Sequence, residues 1–145
     1  AAQGTSGVVA AVKGGQGTIG YADASQAGSL GTVAVGVGGT FVPYSPEAAA
    51  AVADASPLEE GRSAGDLAIA IDRTTEEAGV YPIILISYLI GCEEYADKAV
   101  APLVKGFFEY AISAEGQDAA AASAGSAPIS SKLREQVSAA VALIK

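Results

Sequence analysis

Histidine, methionine, tryptophan and asparagine are all missing from this chain, and cysteine occurs once, at Cys92. Without histidine the commonest general base and metal ligand are gone. No Ser-His-Asp or Cys-His pairing can be assembled. A single cysteine closes neither an internal disulfide nor a structural zinc site. On its own terms Cys92 is either a small buried apolar residue or half of a disulfide whose other sulfur lies outside the chain. Basic residues are scarce: 8 Lys and Arg stand against 16 Asp and Glu, a net charge of −8. They never cluster, so the basic footprint that nucleic acid requires is missing. The longest strongly apolar run, Ile83–Ile90, is too short to span a bilayer. No basic start leads into an apolar stretch at the N-terminus. Ala1 fits either a chain whose initiator has been removed or an interior piece of a longer protein.

What is present is enough apolar material for a core: half of the 145 residues are hydrophobic and only 17% are charged, which argues against disorder. Glycine is spread through the chain without a period, against collagen-like and linker readings. Thr5-Ser6-Gly7 followed by Val8, Ala11 and Val12 on one face predicts a short helix closed at Gly14-Gly15. Thr18–Tyr21 and Thr32–Val37 are predicted strands, with a short helix between them over Ala22–Gly28. Gly38-Gly39 is a turn leading into an extended Thr40–Val42. Ser45-Pro46-Glu47 is a strong helix opening, combining a cap, a proline at the first position and an acid at the positive end. Leu67–Ile71 reads as a strand. Ile83–Ile90 reads as a strand buried on both faces. A helix is predicted over Tyr95–Ile112, with a kink or a start near Ala101 because of Pro102. Two more follow, Glu115–Ser123 and one carrying Leu133, Val137, Val141 and Ile144 on a stripe. The mixture of strands and helices without an internal repeat predicts an α/β fold.

Gly15-Gln16-Gly17-Thr18-Ile19-Gly20 matches the dinucleotide pattern G-x-G-x-x-G. That pattern binds pyrophosphate only between a preceding strand and a following helix. Here a helix precedes and a strand follows, so the nucleotide reading is rejected. The pairs Glu59-Glu60, Glu76-Glu77 and Glu93-Glu94 lack the spacing of a metal loop, and neighbouring side chains point apart. They read as solvated surface. The residues Thr5-Ser6-Gly7 could offer an anion free N–H groups, although capping alone explains them.

The order of several segments resembles one family. Gln3-Gly4-Thr5-Ser6-Gly7-Val8-Val9-Ala10-Ala11-Val12, followed by Gly17-Thr18-Ile19-Gly20-Tyr21, resembles the "G-x-x-G-V-x-x-x-V … G-x-I-G-Y" signature of periplasmic phosphate-binding proteins of ABC uptake systems. Gly39-Thr40-Phe41-Val42-Pro43 looks like that family's hairpin, and Tyr81-Pro82-Ile83 with Tyr88-Leu89-Ile90 looks like its return strand. Leu103-Val104, Phe107-Phe108, Tyr110-Ala111 and Gly116-Gln117 resemble its "L-x-x-F-x-x-x-A … G-Q" helix pair. Ala127-Pro128-Ile129 stands where "P-L-P" is usual, with Ile129-Ser130 in place of Leu-Pro.

The resemblance implies a type II periplasmic-binding-protein fold, here incomplete: a C-terminal half contributing parts of two α/β lobes. Residues 1–79 would belong to lobe II, residues 80–82 to a hinge crossing, and residues 83–145 to the C-terminal part of lobe I. It implies a receptor that delivers inorganic phosphate to an importer and is not an enzyme. Its partners would be phosphate, the N-terminal half of the same protein and the importer's membrane subunits, with no cofactor and no nucleic acid. The family's phosphate ligands precede the "G-x-x-G-V" segment, so no phosphate-binding residue is carried over onto this chain. Cys92, after the return strand, resembles Gram-positive versions. It implies a disulfide to a partner outside the chain and an extracytoplasmic setting, periplasmic or as a cell-surface lipoprotein. Other expectations remain open: a receptor for sulfate or molybdate, or a surface adhesin built on the same fold.

Overall fold

The structure, a computed structural model, describes residues 2–145; Ala1, where the first predicted lobe begins, lies outside the described residues. The elements in order are α1 (Gly4–Gly14), α2 (Ala24–Ala27), β1 (Val35–Val37), β2 (Thr40–Val42), α3 (Pro46–Ala55), α4 (Val100–Ile112), α5 (Ala114–Ala124) and α6 (Ser131–Val141). The composition of elements, helices with one small sheet, is compatible with an α/β fold.

Local signals set the helix boundaries. Ser45 caps α3 by accepting the Ala48 N–H at 3.1 Å, with Pro46 at the first position, where its missing N–H costs nothing. Pro102 falls in the first turn of α4 for the same reason, so the predicted helix starts at Val100 rather than kinking. Ser113 closes α4 and opens α5: its hydroxyl donates to the Tyr110 carbonyl at 2.7 Å and accepts the Gly116 N–H at 3.0 Å. Ser130 caps α6 through the Leu133 N–H at 3.0 Å. At α1 the cap differs from the sequence expectation. Gln3 takes that position with no side-chain bond, and Thr5 and Ser6 lie inside the first turn.

The one sheet among the described residues is the hairpin β1–β2, antiparallel with Val35 opposite Val42 and Val37 opposite Thr40. Gly38 and Gly39 both have positive φ, +54° and +80°, the geometry of a two-residue turn that glycine adopts without penalty. A side chain at Gly38 would also collide with the main-chain carbonyl of Glu76. The alternation of the hairpin puts Val37 and Val42 in the interior and leaves Phe41 exposed.

Two hydrophobic cores form. The first gathers Val37, Val42, Ala48, Val52 and Val80, with Val35, Ala51, Ile71, Tyr81 and Ile84 packed around it. The second gathers Ala101, Val141 and Ile144, with Tyr95, Val104, Phe108, Ile112 and Val137. Three of the four residues of the predicted last stripe, Val137, Val141 and Ile144, meet α4 there.

Three predicted strands are not strands. Thr18–Tyr21 is irregular, because the Thr18 hydroxyl turns back to donate to the Val12 carbonyl at 3.0 Å. Leu67–Ile71 makes a single antiparallel bridge, Leu58 to Ile69. Ile83–Ile90 joins no sheet, and Ile83, Leu85, Tyr88, Leu89 and Ile90 are exposed. A strand needs a second segment to exchange main-chain hydrogen bonds with it, and none of the described segments does so with Ile83–Ile90.

Candidate functional site

The first turn of α1 is the only place where the sequence suggested an anion receptor within the chain. The Thr5 hydroxyl there donates to the Asp23 carboxylate at 3.4 Å. An acid beside the positive end of the helix occupies the favourable electrostatic position itself and repels a second anion. The glycine-rich segment that follows does a packing job. Gly20 lies so close to α1 that a Cβ would stand 2.8 Å from Val8 Cγ1 and 3.1 Å from Val12 Cγ2. With a helix before it and no strand after it, this segment makes no nucleotide cradle.

The residues around the predicted hinge crossing are held by several contacts. Val80 is buried in the first core. The Tyr81 N–H donates to the Ala48 carbonyl at 3.0 Å, and the Tyr81 ring meets Tyr44 edge to face at 5.9 Å. The Arg73 guanidinium reaches across to donate to the Pro82 and Ile84 carbonyls at 2.9 and 3.1 Å. Arg73 thus ties the chain on either side of Ile83 to the segment before it.

A cleft of about 200 Å³ lies where the end of α3 faces the start of α6, lined by Asp54, Ser56, Leu58, Ile69, Lys132 and Gln136 among others. Several of its polar groups bond to one another. The Ser130 hydroxyl donates to the Asp54 carboxylate at 2.6 Å, and the Lys132 ammonium donates to the Asp54 main-chain carbonyl at 3.1 Å. Ser56 donates to the Val52 carbonyl and accepts the Asp72 N–H. Asp54 again takes the anion's place at a helix N-terminus, so the cleft ties α3 to α6 and sets a carboxylate where an oxyanion would have to sit. These are contacts between residues 76 and 78 apart in sequence, and no local pattern announces them.

The three acid pairs are solvent-exposed, and no three His, Cys, Asp or Glu side chains among the described residues converge on a metal position. The Asp66 carboxyl is held below its ordinary value of 3.8, first by the hydrogen bond from Arg62 and then by the Ala68 N–H. The Arg62–Asp66 pair, 2.7 Å apart, is a helical-spacing ion pair at the surface and has no catalytic partner. Cys92 is exposed with a free thiol, and its N–H donates to the Tyr95 hydroxyl at 3.0 Å. Its exposure sets aside the buried-hydrophobe alternative for this residue.

A family model for a periplasmic-binding-protein (PBP) superfamily domain matches residues 1–115. The chain belongs to that superfamily, whose members are binding proteins rather than enzymes and work as ligand receptors, usually alongside transporter components. No curated protein and no solved structure matches the chain. No helix among the described residues is long and apolar enough to cross a membrane.

Proposed function

We propose that this chain is the C-terminal half of an extracytoplasmic receptor for inorganic phosphate that serves an ABC importer. The observation that carries this is the order of segments from Gln3–Val12 through Gly17–Tyr21, Gly39–Pro43 and Tyr81–Ile90 to Gly116-Gln117, set within a superfamily of binding proteins. Phosphate is held by residues of the N-terminal half, which precede this chain. Residues 1–79 belong to lobe II and residues 83–145 to lobe I, with residues 80–82 crossing between them. Two separate cores support a division into two bodies. Ile84, the second residue of the lobe I segment, packs on the first core next to the crossing. Cys92 pairs with a cysteine of the N-terminal half, and the exposure of its thiol favours that role.

Calorimetry tests the ligand. The protein expressed with its N-terminal half should bind phosphate at micromolar concentration or better, and the isolated chain should not. Preference for sulfate or molybdate would move the assignment to another oxyanion. Failure to bind any oxyanion would favour a surface adhesin on the same fold. Thiol labelling tests the cysteine: Cys92 should react in the isolated chain and be blocked in the complete protein until a reductant is added.

A further inference from the structure

We infer that Asp54, Ser130 and Lys132 form a clasp that fixes how the body around the first core sits against the body around the second, and that its release changes the affinity with which the complete protein holds its ligand. The second half of this rests on the reading of residues 1–79 and 83–145 as parts of two lobes of a receptor. The clasp itself stands on geometry. No residue is shared between the two cores, and Ile84, beside the crossing, is the one described residue after position 82 that packs on the first. The two bodies are therefore not joined by a common interior, and polar contacts decide their relative placement.

Few hydrogen bonds among the described residues cross between them. Asp54, near the end of α3, accepts the Ser130 hydroxyl on its carboxylate at 2.6 Å and the Lys132 ammonium on its main-chain carbonyl at 3.1 Å. Ile69, which lines the same cleft, donates its N–H to the Tyr88 hydroxyl at 2.9 Å. Beside the crossing, the Arg73 guanidinium donates to the Ile84 carbonyl at 3.1 Å. The bond from Ser130 to Asp54 is the shortest of the set, and a carboxylate acceptor makes it stronger than a neutral one.

Helix α3 is the arm of the clasp. Its start is fixed to the crossing, because the Ala48 carbonyl accepts the Tyr81 N–H at 3.0 Å. Asp54 lies further along the same helix, about 9 Å from Ala48 at the ordinary helical rise. A rotation of about 15° at the crossing would carry Asp54 by about 2 Å, out of hydrogen-bond reach of Ser130. Behind the bond lies a cleft of about 200 Å³ rather than packed side chains. The clasp therefore opens without exposing a buried apolar interior. A bond formed in one lobe arrangement and broken in the other shifts the balance between them by its own strength. For a partly exposed bond to a carboxylate that is about five- to tenfold.

Residual dipolar couplings of the 145-residue chain test the clasp. In the unaltered chain the amides of α3 and α6 should fit a single alignment. Ser130→Asp keeps an oxygen for the Leu133 N–H but sets two carboxylates against each other, so the two helices should then need separate alignments. Combining it with Asp54→Ser exchanges donor and acceptor and should restore the single alignment. Asp54→Ala, which leaves the cap of α6 untouched, should release the helices as Ser130→Asp does. Calorimetry reads the consequence in the complete protein. Both single variants should shift phosphate affinity about fivefold or more in the same direction, and the exchanged pair should return it to within about twofold. The shift is a tightening where the clasp belongs to the open arrangement and a weakening where it belongs to the closed one. Separate alignments in the unaltered chain, or a single one in both single variants, would overturn the clasp. Released helices with unchanged affinity would overturn its role in ligand capture. If the unaltered complete protein binds no oxyanion while the alignments behave as expected, the receptor reading fails and the clasp stands.

Discussion

Removing the Ser130 hydroxyl should uncouple the two halves of this structure more than any other single-atom change at the surface. That oxygen accepts the Leu133 N–H at 3.0 Å and donates to Asp54 at 2.6 Å. It thus caps α6, which packs in the second core, and ties it to α3, which packs in the first. Loss of a serine cap costs about 0.5–2 kcal/mol, typically about 1. A hydrogen bond to a charged group contributes about 1.5–3 kcal/mol, and partial exposure of Asp54 places this one at the lower end. Ser130→Ala should therefore destabilise by about 2–3 kcal/mol. Asp54→Ala, which spares the cap, should cost about 1–2 kcal/mol. In a double-mutant cycle by urea unfolding, the pair should show a coupling of about 1–1.5 kcal/mol. At this chain length each kcal/mol corresponds to a fall in Tm of about 2–4 °C. A coupling energy of zero, with Ser130→Ala no worse than the loss of an ordinary cap, would refute the link between α3 and α6.

Other changes probe other parts of the fold. Val52 is fully buried, so Val52→Ala should destabilise by about 2–3 kcal/mol through lost burial and a residual cavity, measured by chemical denaturation. Gly38→Ala should cost at least about 1–2 kcal/mol from the positive φ alone, with more from the collision at Glu76. Gly39→Ala, where nothing lies within 4 Å, should cost less. Carbon-detected NMR titration should show Asp66 ionising below its ordinary 3.8, and Arg62→Ala should move it upward. Because the folded value is depressed, its small contribution to stability is present above the unfolded value and is lost as pH falls through the folded one.

Much of the helical structure was readable in the sequence, because helix boundaries are decided within one turn. Ser45-Pro46-Glu47, the glycines at 38 and 39, Pro102 and the stripe through Val137 and Val141 each act on neighbours three or four residues away. Family membership was likewise readable, since it rests on the order of short segments. Of the predicted strands, the hairpin on either side of Gly38-Gly39 formed, over Val35–Val37 and Thr40–Val42, and the other three did not. Thr18–Tyr21, Leu67–Ile71 and Ile83–Ile90 have strand-like composition, yet a strand exists only when a distant segment supplies the other half of its hydrogen bonds. The sequence could also not show that Asp23 and Asp54 would come to stand at helix N-termini, where they fill the positions an anion would want. That required chain segments 18 and 76 residues apart to meet. Local chemistry determined which residues turn, cap and coil. Tertiary structure alone decided which polar groups are already satisfied, and that the most apolar run in the chain joins no strand among the described residues.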